Sequence, residues 1–330
     1  MGFVAFNDVF LLGASMVAKK GRPPMDDRAW VIKHLKPLMD EGKSMQSKSA
    51  SLGAKLPTYD KGYWTGLKLM LLKYYVRPYL EILVRQGKRV AYVDLFAGPG
   101  LDLIGNRKVP VLGSPMIPLI IKDTPFRFSQ FLFSDTDSGT FGALQQRVNM
   151  VGELDGTCRV LNEDANAVVG KLPGLLSESD HALVFLDPEG MEFAWDSVRD
   201  LVNNVECDLV INFPSAGLNR NLQYREAEPT VRRFLGLGPL EQIPEGANEA
   251  WAIDRYRKNL ASIGKDISME IRVNSGLSYH YHLIPAVRKT GGGSPWFRPI
   301  FQPAKERIER MSGKVLGLIA EQIEGEQGTL

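Results

Sequence analysis

The chain has 330 residues, of which 44% are hydrophobic and 24% charged. That length suits one large α/β unit with an appendage, and the composition excludes a disordered, collagenous or low-complexity chain. A net charge of +2 is too small to decide whether the partner is a nucleic acid.

No stretch approaches the roughly 18 apolar residues that a membrane span needs. The opening MGFVAFNDVFLLGASMVAKK imitates a signal peptide, but no basic residue precedes its apolar run, Asp8 interrupts it, and Lys19 and Lys20 follow it. Residues 1–25 are expected to be a disordered or wrongly assigned extension, with Met16 or Met25 as alternative starts. Cys158 and Cys207 read as packing residues in a reducing cytosol, so a cytoplasmic protein is expected.

A helical N-terminal region is expected over 26–87. Asp26 and Asp27 can cap a helix over about 26–41, and a Ser/Lys/Gly-rich linker is expected from Gly42 to about Leu56. A second helix is expected over 64–84, interrupted or kinked at Pro78. Lys61, Lys68, Lys73, Arg77, Arg85, Lys88 and Arg89 face the single acid Glu81 here, with Tyr63, Trp64, Tyr74, Tyr75 and Tyr79 between them. The pattern reads either as a nucleic-acid-facing surface or as an amphipathic helix with packed aromatics and solvated lysines.

From residue 88 to about 290, short apolar runs alternate with helical patterns. Strands are expected at 89–96, 130–134, 158–162, 182–186 and 208–213. Helices are expected at 115–122, 139–151, 165–176 and 193–205. This alternation predicts a doubly wound, mostly parallel sheet. Helices near 228–235 and 248–263 follow, then a hairpin of 268–274 and 279–287 that adds antiparallel strands. Residues 291–330 read as a loop and one helix, from Ala304 to about Ile323.

The first strand enters a glycine loop, YVDLFAGPG (92–100), in which Gly98 and Gly100 permit a tight turn and close backbone approach. Asp94 lies just inside the strand end. Later strands end in FSDTD with Asp135 and Asp137, NEDA with Glu163 and Asp164, LDPEG with Asp187, and VINFP with Asn212. Parallel strands deliver their carboxyl ends to one rim, so these acids are expected to line one pocket. An acid after the second strand can take ribose hydroxyls, and one after the third can take an adenine amino group. GxGxxG is absent, which disfavours a dinucleotide-binding dehydrogenase.

His280 and His282 share a strand face without a third metal ligand and read as structural. Arg220, Arg225, Arg232 and Arg233 could contact phosphates, although Glu226 and Glu228 sit among them. Residues 151–210 carry 13 acids against Arg159, Lys171 and Arg199. That balance confines any nucleic-acid footprint to 61–89 and 219–233.

In order, DLFAGPG, FSDTD, NEDA, LDPEG and the terminal hairpin resemble the class I S-adenosylmethionine-dependent methyltransferase fold. Within it, WTGLKLMLLKYYVRPYL (64–80), GSP (113–115), VFLDPEG before Trp195, DLVINFPSAGLNR (208–220) and YHLIPAV resemble the three-Cys-motif partner protein family, over roughly 60–290. The resemblance implies that Asp94, Phe96, Gly98 and Gly100 hold the methionine part of S-adenosylmethionine. It implies that Asp135, or secondarily Asp137, takes the ribose and that Asp164 lies near the adenine. Asp187, Pro188 and Glu189 would stand where amino-methyltransferases carry Asp-Pro-Pro-Tyr, with Glu189 and Gly190 replacing the second proline and the aromatic. Phe193 and Trp195 are alternative rings. The insertion Leu101–Leu112 departs from the pattern and moves the next helix away from the loop. The resemblance implies a methyltransferase acting on nucleic acid, or a non-catalytic partner of a three-Cys-motif protein that resembles radical S-adenosylmethionine enzymes.

Overall fold

The computed structural model describes residues 26–51, 53, 55–120, 124–152 and 156–327. The expectation for residues 1–25 lies outside the described residues. In chain order the elements are α1 (Asp27–Ser51), β1 (Tyr59–Lys61), α2 (Trp64–Val84), β2 (Val90–Asp94), β3 (Leu101–Ile104), β4 (Val109–Leu112), α3 (Met116–Ile120), β5 (Gln130–Ser134), α4 (Ser138–Asn149), β6 (Cys158–Leu161), α5 (Ala165–Val169) and α6 (Leu172–Leu175). They continue as β7 (His181–Leu186), α7 (Trp195–Asn204), β8 (Cys207–Phe213), α8 (Ser215–Asn221), α9 (Glu228–Leu235), α10 (Glu249–Ser262), β9 (Ile267–Ser268), β10 (Ile271–Asn274), β11 (His280–Val287), α11 (Phe297–Arg310) and α12 (Gly313–Gln327).

The main sheet runs β10-β11-β8-β7-β2-β5-β6, with β9 on β11. Strands β8, β7, β2, β5 and β6 are mutually parallel, and β11 is antiparallel to β8. This is the α/β architecture, with its antiparallel terminal hairpin, that the motif order implies. Period-two alternation divides each strand between two cores. Tyr92, Phe133, Leu183, Phe185 and Val210 face α1, α2, α11 and α12. Ala91, Val93, Leu132, Val184 and Ile211 face α5 to α10. The N-terminal helices and the C-terminal pair therefore share one core with the sheet.

Several expectations are corrected. The expected linker after residue 41 is helix as far as Ser51, because Met45 and Ser49 are buried and Gly42 rests on β4. A Cβ on Gly42 would lie 2.7 Å from the Pro110 carbonyl oxygen. Although alanine is the better helix former, Gly42→Ala is expected to lower stability by about 1–3 kcal/mol, because backbone cannot step aside; urea unfolding checks this. Helix α2 runs unbroken through Pro78. The 165–176 helix is two short ones separated by Gly170 and Lys171. The C-terminal helix is also two, since Met311 is extended and Ser312 bridges to Asn274. The expected strand 268–274 divides into β9 and β10.

The insertion 101–112 is the hairpin β3–β4, and β1 joins it as a parallel third strand. This small sheet lies outside the main one and brings the segment 59–61 beside the glycine loop. No helix among the described residues is long and apolar enough to cross a membrane.

Candidate active-site cleft

Strand register assembles the rim. Asp94 stands level with Phe133 on β5 and Phe185 on β7, so Asp135 and Asp187 each lie two residues further along, on either side of it. Leu186 pairs with Ile211, which puts Asp187 level with Asn212. From β2 the chain builds one way to β5 and β6 and the other way to β7 and β8. The cleft beyond β2 is thus the topological switch point, where open α/β sheets bind ligands.

The glycine loop forms one wall. Gly98 (φ 63°) and Gly100 (φ 81°) occupy the left-handed region. The Gly98 N–H donates to Asp135 Oδ2 (3.0 Å), while Asp135 Oδ1 accepts from the Asp137 N–H (3.0 Å). From below, the buried Arg147 guanidinium donates to the carbonyls of Pro99 (2.6 Å) and Pro57 (2.7 Å). Tyr59 lies against Gly98, and its hydroxyl is 3.3 Å from Thr140 Oγ1.

Asp94 is fully buried. Its Oδ1 accepts from the Phe96 N–H (3.2 Å), and its Oδ2 meets no partner among the described residues. Burial pushes this carboxyl up to about 7, with the Asp187 charge adding to the rise and Ser114, Phe96 and Lys68 opposing it. Since the folded protein holds this proton where an unfolded Asp has lost it, Asp94 destabilises the fold progressively as pH climbs from about 4 to 7. His181 and His282, held neutral by burial down to about 3 and about 4, weaken the fold in the opposite direction, as pH falls below about 6.5. The informative quantity is a difference. The stability of Asp94→Asn minus that of wild type is expected to grow from pH 4 to 7 by on the order of 1 kcal/mol per pH unit, as denaturant titrations at several pH values would show.

The Asp-Pro-Glu-Gly loop forms the other wall. Asp187 Oδ2 accepts from Lys68, which α2 extends into the cleft, and its Oδ1 accepts from Asn212 Nδ2 (2.8 Å). The same Nδ2 lies 3.5 Å from the Pro188 carbonyl oxygen; these donor requirements fix the Asn212 amide orientation, and its buried Oδ1 has no partner among the described residues. The Lys68 ammonium lies 5.9 Å from the centre of the Tyr281 ring. Glu189 accepts from Lys61 Nζ (2.9 Å), which holds its carboxyl below the usual range. The N–H groups of Glu189 and Gly190 both donate to the Glu192 carboxylate (2.6 and 2.8 Å).

Two of the expected acids also serve as helix caps. Asp137 and Asp164 are exposed N-caps, of α4 and α5, and the Asp137 carboxyl is held low by the Thr140 N–H it accepts. Phe193 is buried edge-on to Phe96 (5.7 Å), and Trp195 packs on Tyr256 (5.3 Å), so both rings serve the core. The basic residues of the 61–89 segment are divided between the cleft and the surface, where Arg85, Lys88 and Arg89 are exposed. Lys61 and Lys68 point at acids of the cleft, Lys73 is buried and Arg77 pairs with Glu81. Tyr75 donates to Asp208 (2.9 Å), and the Tyr79 hydroxyl is 2.8 Å from His181 Nδ1.

Of the four arginines, Arg232 pairs with Glu228 and Arg233 donates to the Glu192 carbonyl, while Arg220 and Arg225 are exposed. His280 pairs with Glu249 and His282 with Ser215, and no metal-binding group of three occurs among the described residues. Both cysteines are free; burial pushes Cys158 up to about 12 and Cys207 up to about 11.

Sequence reasoning missed Asp102, and it saw Lys61 and Lys68 only as surface charge. Asp102 lies two residues past Gly100 on β3, level with Tyr59, and is 8% exposed. Burial pushes its carboxyl up to about 6 against the pull of Lys68 and Lys61. Its position inside an apparent insertion concealed it.

No family model matches the chain, and no curated protein matches it. Several solved structures are similar to it at low identity. A DUF519-family protein from Legionella pneumophila is 12% identical, with 73% of this chain and 93% of that chain covered at a TM-score of 0.46. Trm1 from Pyrococcus horikoshii, in complex with S-adenosyl-L-methionine, is 12% identical, with 66% and 55% covered at 0.38. Magnesium protoporphyrin IX methyltransferase from Synechocystis, with bound SAH, is 15% identical, with 80% and 100% covered at 0.35. At these values the likenesses carry no functional weight.

Proposed function

We propose that the protein binds S-adenosylmethionine in this cleft and is a methyltransferase-like member of the three-Cys-motif partner family, with nucleic acid as the acceptor class. One observation carries the reading. At the switch point, a positive-φ glycine loop is hydrogen-bonded to Asp135 and lies beside Asp94, a fully buried carboxylate with one unpartnered oxygen. A buried acceptor without a donor is costly, and a ligand with donor or cationic groups relieves that cost.

The residues fit the cofactor. Asp135 retains lone pairs for ribose hydroxyls, the glycine loop lets backbone approach the methionine part, and Asp164 stands beyond β6, on the adenine side. When bound, the cofactor supplies an electrophilic methyl group on a cationic sulfur. The chain's own task is alignment and exclusion of water. Asn212 Oδ1 and the Pro188 carbonyl are acceptors beside Asp187 that can orient a substrate N–H. Tyr59 and Lys61 cover the mouth from the glycine loop to Glu189. Exposed Arg220 and Arg225 follow β8 on the same rim and are suited to phosphates.

A second reading, a non-catalytic partner of a three-Cys-motif protein, is favoured by one feature. Position 190 carries no ring, and both nearby rings are committed to packing. Calorimetry with S-adenosylmethionine tests the cleft: wild type is expected to bind, and Asp135→Ala to bind at least tenfold more weakly. Absence of wild-type binding rejects the cofactor assignment. Labelled-methyl transfer to DNA, RNA and protein pools then separates enzyme from partner, and transfer to none of them favours the partner role.

A further inference from the structure

The two lysines of the cleft are both committed, Lys68 to Asp187 and Lys61 to Glu189. Two other buried carboxylates, Asp94 and Asp102, form no ion pair among the described residues. Asp94 is 0% exposed with an unpartnered Oδ2, and Asp102 is 8% exposed and accepts no hydrogen bond from any described residue. Arg147 also acts on Asp102 through its charge, without an ion pair between them. Arg147 from α4 is turned toward the carbonyls of Pro57 and Pro99, and Asp135 is held by the N–H groups of Gly98 and Asp137. The cleft therefore holds more negative than positive charge where water is largely excluded, and in such a place charge interactions are strong.

We propose that Asp102, supplied by the hairpin inserted after the glycine loop, is a specificity-determining residue that makes the cleft prefer a positively charged sulfonium over the neutral thioether left after methyl transfer. The inference rests on the reading that the cleft takes S-adenosylmethionine. Two placements support it. The register puts Asp102 level with Tyr59, whose ring lies on Gly98. The same Lys61 and Lys68 that bind the Asp-Pro-Glu-Gly acids act on Asp102 electrostatically, together with Asp187. Asp102 is thus level with the residue that covers one wall and within electrostatic reach of the charges on the other.

S-adenosylmethionine brings a sulfonium and an ammonium to these carboxylates. S-adenosylhomocysteine brings only the ammonium, because the C–S electron pair stays on sulfur when the methyl group leaves. Ligand charge and site charge thus match before transfer and mismatch after it, which favours release of the spent cofactor.

Calorimetry on the full chain tests this with three probes: S-adenosylmethionine, S-adenosylhomocysteine, and sinefungin, whose amine stands in place of the sulfonium. Wild type is expected to bind the two cationic probes at least fivefold more tightly than the thioether. Asp102→Asn should bring that ratio to within twofold of unity with the thioether affinity little changed, and Asp102→Glu should retain most of the preference. A ligand-free measurement accompanies these: Asp102→Asn should melt higher than wild type at pH 8, because an unpaired buried charge is gone. A wild-type ratio near one overturns the proposal. So does an unchanged ratio in Asp102→Asn, even where that variant is stabilised, since the carboxylate would then be merely strained. Failure of wild type to bind any probe rejects the cofactor reading itself, and the proposal with it.

Discussion

Gly98→Val is expected to abolish S-adenosylmethionine binding, lowering affinity more than 100-fold by calorimetry, while the protein still folds. The position has φ 63°, where an L-residue costs about 1–2 kcal/mol and a β-branched one more. A Cβ there would also stand 3.1 Å from the Tyr59 ring. The loop must shift, and the Gly98 N–H then leaves Asp135. Asp135→Ala removes one acceptor and leaves the turn intact, so it should be the milder of the two. Adding Tyr59→Ala to Gly98→Val relieves the contact but not the backbone strain, and should not restore binding. Near-wild-type affinity in Gly98→Val would mean that the ligand does not rest on this loop.

The second large effect concerns stability. Lys68 and Asp187 side chains are only 11% and 17% exposed, so Lys68→Met leaves a largely buried carboxylate with Asn212 as its remaining donor. Breaking a buried pair from one side costs about 3–5 kcal/mol; with residual solvent contact, about 2–4 kcal/mol is expected here. The double variant Lys68→Met/Asp187→Asn should recover more than half of that loss, because no bare charge remains. Urea unfolding of the four proteins at pH 7 gives the coupling directly. A loss below about 1 kcal/mol would place the pair with ordinary exposed ion pairs and remove α2 from the architecture of the cleft.

The main sheet was legible because both faces of its strands are covered, so β2, β5, β7 and β8 are largely apolar runs, the first three with acids at or just past their ends. Asp94, Asp135 and Asp187 could be placed together on that basis alone. The helical continuation of α1 past Gly42 was not legible, since its stability comes from close approach to β4 and not from local propensity. The division of the C-terminal segment at Met311 likewise depends on Ser312 meeting β10.

The lysine-rich segment misled in an instructive way. Charge counting sees Lys61 and Lys68 as surface cations, but their carboxylate partners are 128 and 119 residues away in the chain. Asp102 was invisible for a related reason. A carboxylate in a short apolar hairpin gives no periodic signal, and only the pairing of β1 with β3 reveals which side it serves.

The three-residue strand β1 has two ends of unequal strength. At Tyr59 the ring sits on the glycine loop beside a buried threonine. At Lys61 the bond to Glu189 joins side chains 32% and 82% exposed, and such a pair is held by no more than about 1 kcal/mol and weakens with salt. Thermal opening should therefore start at the Glu189 side, with Tyr59 as the pivot. Ligand admission would be faster at high ionic strength, and charge reversal at Glu189 would mimic that salt effect in dilute buffer.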